Sequence, residues 1–219
     1  MKYIEKKIKN EPKQVVEKRI TPGSSFDDLP KGPLRKALLN EQGFICAYCM
    51  QRIHNSSKST KIEHFSPRKD KNEKRYLEFN KNYLNLIATC KGNEGVKGKE
   101  HCDTLKKKQK ISISPLKKRC EELVKFDPDG KVYSLDEKID KELNEILGLN
   151  QRHIVEERRK LLDEVKDEIL ITAKNNTDNK IKKTDINTML KNWQARKGGK
   201  FDPYCQVAIE YLNKKLRRI

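Results

Sequence analysis

The sequence predicts an α+β chain with a cysteine-stapled middle, an extended N-terminal arm and a mainly helical C-terminal region. Three observations carry this. Residues 44 to 110 hold short β-like pieces such as "FICAYC" and "KIEHF", long polar loops and four of the six cysteines, with no periodic apolar core. After residue 136 the apolar residues recur at helical spacing. Residues 1 to 31 are lysine-rich, broken by Pro12, Pro22, Gly23 and Pro30, and show no apolar period. With 34% apolar and 37% charged residues in 219, each core is modest, and a small core needs a staple. The division expected is an arm at 1–31, a stapled domain at 32–110 and a hairpin plus helices at 111–219.

Taken in order, the arm is expected to dock on something. Pro33 suits a first helical position, Leu34, Ala37, Leu38 and Leu39 form an apolar side, and Gly43 suits the stop. The stretch "LVKFDPDGKVY" sets Asp129-Gly130 between apolar flanks and reads as a hairpin turn. Ile139, Leu143, Ile146 and Leu147 then mark a helix ending before Gly148. Asn150 is placed to cap a second helix carrying Ile154, Leu161, Leu162, Val165 and Ile169. Past the polar break "NNTDNK" come two more helices, with Ile186, Met189, Leu190 and Trp193, and with Tyr204, Val207, Ala208, Tyr211 and Leu212. These stripes are helix packing faces, not cofactor sites.

Lys plus Arg outnumber Asp plus Glu by 50 to 32, a formal charge of +18 that repels itself unless a polyanion answers it. Nucleic acid is therefore the leading partner. No apolar run approaches the roughly 20 residues that span a bilayer, and "MKYIEKKIKNEP" lacks the apolar centre of a signal peptide. A cytoplasmic chain is expected, without membrane contact and with reduced thiols, for which metal binding is the natural use of a cluster.

Cysteine thiolates bind zinc tetrahedrally, and the Cys46-x-x-Cys49 turn brings two sulfurs to one ion. Cys90 in "LIATCK" and Cys102 in "EHCDTLK" are the second pair, joined by a Gly- and Lys-rich loop. His101 adjoins Cys102 and is an alternative fourth ligand; the thiolate is preferred at a sulfur-rich site. Cys120 and Cys205 read as packing groups. His54 and His153 read as surface residues, and Tyr48 and Phe65 as core around the zinc.

Zinc closed by four protein ligands has no open position, so catalysis needs other residues. "KIEHF" supplies them: Glu63 as an oxygen-donor carboxylate for a divalent cation and His64 as a base titrating near neutrality, the pair that phosphodiester hydrolysis requires. In a regular strand these neighbours point to opposite sides, so joint action requires a twist or strand end there.

The order Cys-x-x-Cys, Glu63-His64, "YLNL", Cys90, then Cys102-Asp103 with Lys106 resembles the zinc-containing HNH endonucleases of the ββα-metal fold, over Gln42 to about Lys110. The resemblance implies His64 as general base, Glu63 and Asp103 as holders of a catalytic Mg2+ or Mn2+, and Asn85 as the residue orienting the histidine, with Asn80 and Asn82 as alternatives. Asp103 stands where that family has Asn or His, and the spacer between Cys90 and Cys102 replaces a second Cys-x-x-Cys. Beyond that core, "SSFDDLPKGPLRKALLNEQGFICAYCMQRI", "ISPL", "KFDPDGKVY" and "LGLNQRHIVEERRKLL" resemble the HNH subunit of Septu-type and retron-linked anti-phage systems, the PtuB family, over roughly residues 24 to 165. That likeness implies an effector of a bacterial defence complex, working with an ATPase subunit similar to SMC and ABC ATPases, PtuA-like, and cutting nucleic acid, most readily DNA.

Lys106, Lys107 and Lys108 extend from the expected catalytic helix, and Arg68 and Lys69, with Lys71, Lys74 and Arg75, follow His64, so both flanks are candidate phosphate contacts. The rival expectations are a catalytically inactive zinc-stapled nucleic-acid-binding or adaptor module, and a partner-docking protein acting through its arm or C-terminal helices. A pure scaffold needs only the thiols; an enzyme needs Glu63, His64, Asn85 and Asp103 together.

Overall fold

A computed structural model describes residues 1–67 and 80–219. The fold is mixed α+β: among the described residues, two small antiparallel sheets lie among helices, with a buried four-cysteine cluster. Among the described residues, no helix is long and apolar enough to cross a membrane.

The N-terminal segment is folded onto the body, where an extended arm was expected. Pro12 starts helix α1 (Lys13–Ile20), and Met1, Ile4, Val15, Phe26 and Leu29 are buried. The reason is long-range pairing that composition hides. Ile4 N–H donates to the Pro115 carbonyl at 2.8 Å, and Lys6, lying over the Tyr83 ring, pairs with Glu41 at 2.6 Å. Lysine-rich segments lay aliphatic stems on apolar surface while their ammonium groups find acids.

Helix α2 (Lys31–Gln42) stops at Gly43, whose φ of 61° is the left-handed stop expected from its position. Leu34, Leu38 and Leu39 face inward. Strand β1 (Thr60–His64) pairs antiparallel with β2 (Leu86–Cys90), Glu63 opposite Ile87 and His64 opposite Leu86. All of β2 is buried, which suits its apolar run "LIATC". A four-residue helix, α3 (Asp103–Lys106), follows the Cys90–Cys102 loop.

The second half holds α4 (Cys120–Leu123) and the hairpin of β3 (Lys125–Phe126) and β4 (Val132–Tyr133), turned at Gly130 with φ 85°. Helix α5 (Glu137–Lys141) runs into a π turn, Glu142–Ile146. The wide turn accompanies the buried Glu142 carboxylate, which accepts from Ser112 N, Ser112 Oγ and Ile113 N at 2.8 to 2.9 Å. Asn150 does not cap the next helix: its side chain clasps Val132 N and O at 2.8 and 2.9 Å, fastening β4 instead. Helices α6 (Arg152–Asn175), α7 (Lys183–Gln194) and α8 (Cys205–Leu216) bury the apolar positions anticipated for them, Trp193 and Tyr211 remaining partly exposed.

Candidate metal centre and its neighbours

The Cys46-to-Cys49 turn is built by a narrow loop. Ile45 bridges Arg52, Cys46 N–H donates to Gln51 O at 2.9 Å, and Met50 takes a positive φ of 68° to close the turn. Gln42 fastens it to the sheet: its side chain donates to Ile45 O and Ala88 O and accepts from Ala88 N, at 2.7 to 3.0 Å. Cys90 ends β2. Cys102, with φ 55°, precedes α3, and its N–H donates to Leu147 O at 2.8 Å.

Together these bring four buried sulfurs within 4.8 Å of one another. Cys46 to Cys102 and Cys49 to Cys90 each measure 3.8 Å. A tetrahedral zinc with sulfurs at about 2.3 Å sets them about 3.8 Å apart, so the residues fit that ion. Burial opposes ionisation of Cys46, yet hydrogen bonds with the Cys102, Cys49 and Cys90 thiols and the Cys90 N–H draw its thiol well below the usual range. Cys102 moves the other way, pushed well above by burial and by Cys46. Four crowded thiols cannot all ionise without a cation, which is what a metal supplies.

His101 is not the fourth corner of this cluster. Its Nδ1 lies 3.2 Å from Cys102 Sγ and 3.8 Å from Cys90 Sγ, and with a proton there it donates to both sulfurs. Burial lowers its pKa to about 4, so the ring is neutral. The exposed His153 packs against it, ring centroids 5.1 Å apart. Sequence reasoning missed Arg158 altogether. It is fully buried on α6, donating to Leu149 O at 3.0 Å, and Cys49 and Cys102 are among the groups acting on it. Its one signal was a charge inside an apolar stripe.

The Glu-His pair divides. Glu63 and Asp103 come together: burial first, then Asp103 as hydrogen-bond partner and like charge, push the Glu63 carboxyl up to about 9. Tyr48 OH stands 3.5 Å from Glu63 Oε1. Lys106, expected on the surface against phosphate, is fully buried with Nζ 2.7 Å from Glu63 Oε1. That is a correction: α3 turns this lysine inward because two acids sit there. Lys107 and Lys108 are exposed, while Arg68 and Lys69 lie outside the described residues.

His64, the last residue of β1, is buried among other groups. Phe26 meets its ring edge to face, centroids 4.5 Å apart, and its Nε2 is 2.8 Å from the Asn80 carbonyl. A carbonyl only accepts, so Nε2 carries a proton and, in the neutral ring, Nδ1 carries the lone pair. The acceptor is the backbone of Asn80, one of the alternatives, whereas Asn85 was expected to orient the ring. Asn85 clasps Ser66 instead, Oδ1 to Ser66 N at 2.8 Å and Nδ2 to Ser66 O at 3.0 Å, while Phe65 N–H donates to Asn85 O at 2.9 Å. It shapes the loop leaving His64.

No protein-family model matches the chain, and no curated protein matches it either.

Proposed function

We propose that this chain is a zinc-stapled nucleic-acid-binding or adaptor module. One observation carries the reading: four buried sulfurs at tetrahedral spacing tie a turn, a strand end and a helix start into one knot, in a chain of charge +18. The zinc is structural, since four thiolates leave no open position. Binding of labelled duplex DNA, measured across salt, tests it. Affinity that falls linearly on a log–log plot supports phosphate contact, and salt-independent binding counts against it.

A second reading goes further on the same scaffold: a metal-dependent HNH-type endonuclease of the ββα-metal fold, effector of an anti-phage complex with a PtuA-like ATPase. What favours it is the meeting of Glu63 with Asp103, two oxygen donors from a strand and a helix start, beside the β1–β2 hairpin that ends in His64. In this reading Glu63 and Asp103 hold Mg2+ or Mn2+, which neutralises charge on the leaving oxygen, and His64 accepts a proton from water through Nδ1. The separate surroundings of Glu63 and His64 weigh toward the first reading. Plasmid nicking with magnesium or manganese, by wild type and His64→Ala, decides between them: loss of nicking in the variant supports the enzyme, and equal nicking removes it. Co-purification with the ATPase tests the partner.

A further inference from the structure

A base that takes a proton from water must reach water, yet His64 is only 5% exposed. The described ring against it belongs to the segment between α1 and α2, "TPGSSFDDLP" at 21–30, in which Phe26 and Leu29 alone are buried. Two anchors in an otherwise exposed or half-exposed run make a strap. It is shaped by its own turn: Ser25 N and Oγ both donate to Asp28 Oδ2 at 2.8 Å, and Leu29 N–H donates to Phe26 O at 3.1 Å.

What ties the strap down is the residue after the one that holds the imidazole. Lys81 Nζ donates to Arg19 O and Ser24 Oγ, both at 2.9 Å, while Asn80 O takes the Nε2 proton of His64. One dipeptide therefore grips both the ring and its cover. Lys31 adds to the hold, its Nζ 3.6 Å from the Phe26 ring centroid.

We propose that residues 21–30 form an inhibitory strap over His64, which must lift for the imidazole to meet water and a phosphodiester. The strap is a separate device from the zinc knot, and its role in activity rests on the endonuclease reading. A short, largely exposed segment opens locally at far lower cost than the body unfolds.

The zinc-loaded chain is treated with diethyl pyrocarbonate near neutral pH, and labelling of His64 is followed by peptide mass spectrometry with the exposed His54 as internal reference. His64 in wild type is expected to label about tenfold more slowly than His54, the protection of a covered site. Phe26→Ala raises the His64 rate, and so does Lys81→Met, which removes the bond to Ser24 in the strap and the bond to Arg19 at the end of α1. Both leave His54 unchanged. Equal rates for the two histidines in wild type, or protection of His64 that neither variant relieves, overturns the strap. The same variants are assayed for nicking with magnesium. Increased nicking supports the strap as inhibitory. Labelling that rises with no nicking in any variant keeps the cover and removes the endonuclease reading. Wild-type nicking that neither variant raises overturns the inhibitory role.

Discussion

Lys106 Nζ lies 2.7 Å from Glu63 Oε1 at a site where the lysine side chain is wholly buried. Asp103 acts on the same carboxyl as hydrogen-bond partner and like charge, and its own Oδ2 lies 4.0 Å from Lys61 Nζ. Burial first, and then the neighbouring Asp103, push the Glu63 carboxyl up to about 9. Removing the lysine leaves the buried Glu63 carboxyl without its ammonium partner. Lys106→Met is expected to cost about 3 kcal/mol in urea unfolding, the usual penalty for breaking a buried pair. The double variant Glu63→Gln/Lys106→Met should cost less than the sum of the single changes. A cost for Lys106→Met below about 1 kcal/mol would show that the ammonium reaches water in solution.

The same cluster predicts a pH dependence of stability. Glu63 holds its proton up to about 9 in the folded chain, whereas the ordinary carboxyl gives it up near 4.5. Between those values the folded state binds the extra proton, so this contribution is full below the lower value and is lost as pH rises toward the upper one. The amide introduced by Glu63→Gln does not titrate. In magnesium-free buffer, the melting temperature of wild type should fall relative to Glu63→Gln between about pH 5.5 and about pH 8.5. A constant difference would place the proton elsewhere.

A third prediction concerns the neck of the Cys90–Cys102 loop. Gly92 has φ 58°, and a Cβ there would stand 2.0 Å from the His101 carbonyl oxygen, whose own N–H donates to Gly92 O at 3.0 Å. Side chains avoid both that φ and that distance. Gly92→Ala must push His101 and Cys102 away from Cys90. Zinc stoichiometry is expected to drop well below one per chain on challenge with a chromogenic chelator, and the same is expected of Cys49→Ser. Wild type is expected to retain zinc under the same challenge, because binding to such a four-thiolate site is worth about 10 kcal/mol or more.

How far the sequence discloses this molecule depends on the range of the interaction. The four ligands were legible because thiols in a coreless segment have few other uses, and the α2 stop at Gly43 and the turn at Gly130 because a left-handed backbone selects its residue. The C-terminal helices followed from period alone. Long-range pairing was not legible. Nothing in "HCDTLKKK" tells which lysine turns inward, since that depends on Glu63, 43 residues away. Asn150 sits where a cap belongs and serves β4; the arm of lysines folds down because Glu41 and Tyr83 await it. His64 and Glu63 were read as one site on the HNH-like order of motifs, on condition of a twist or strand end, and the two side chains meet different neighbours, Lys106 for Glu63 and Phe26 for His64.

That inward turn yields the last prediction, because it separates lysines that sequence treats alike. Lys107 and Lys108 are exposed past the end of α3, while Lys106 is committed to Glu63. A phosphate contact releases counterions, and each one lost lowers the slope of log affinity against log salt by about 0.9 on duplex DNA. Replacing Lys107 and Lys108 together with Gln should therefore lower the slope by about 2 and weaken binding evenly across sequences, since phosphate contacts carry no base information. Lys106→Met removes the same kind of charge but no surface donor. With folding confirmed by retained zinc, its slope should match wild type. A slope that falls for Lys106→Met as it does for its neighbours would mean that the buried pair opens to reach nucleic acid.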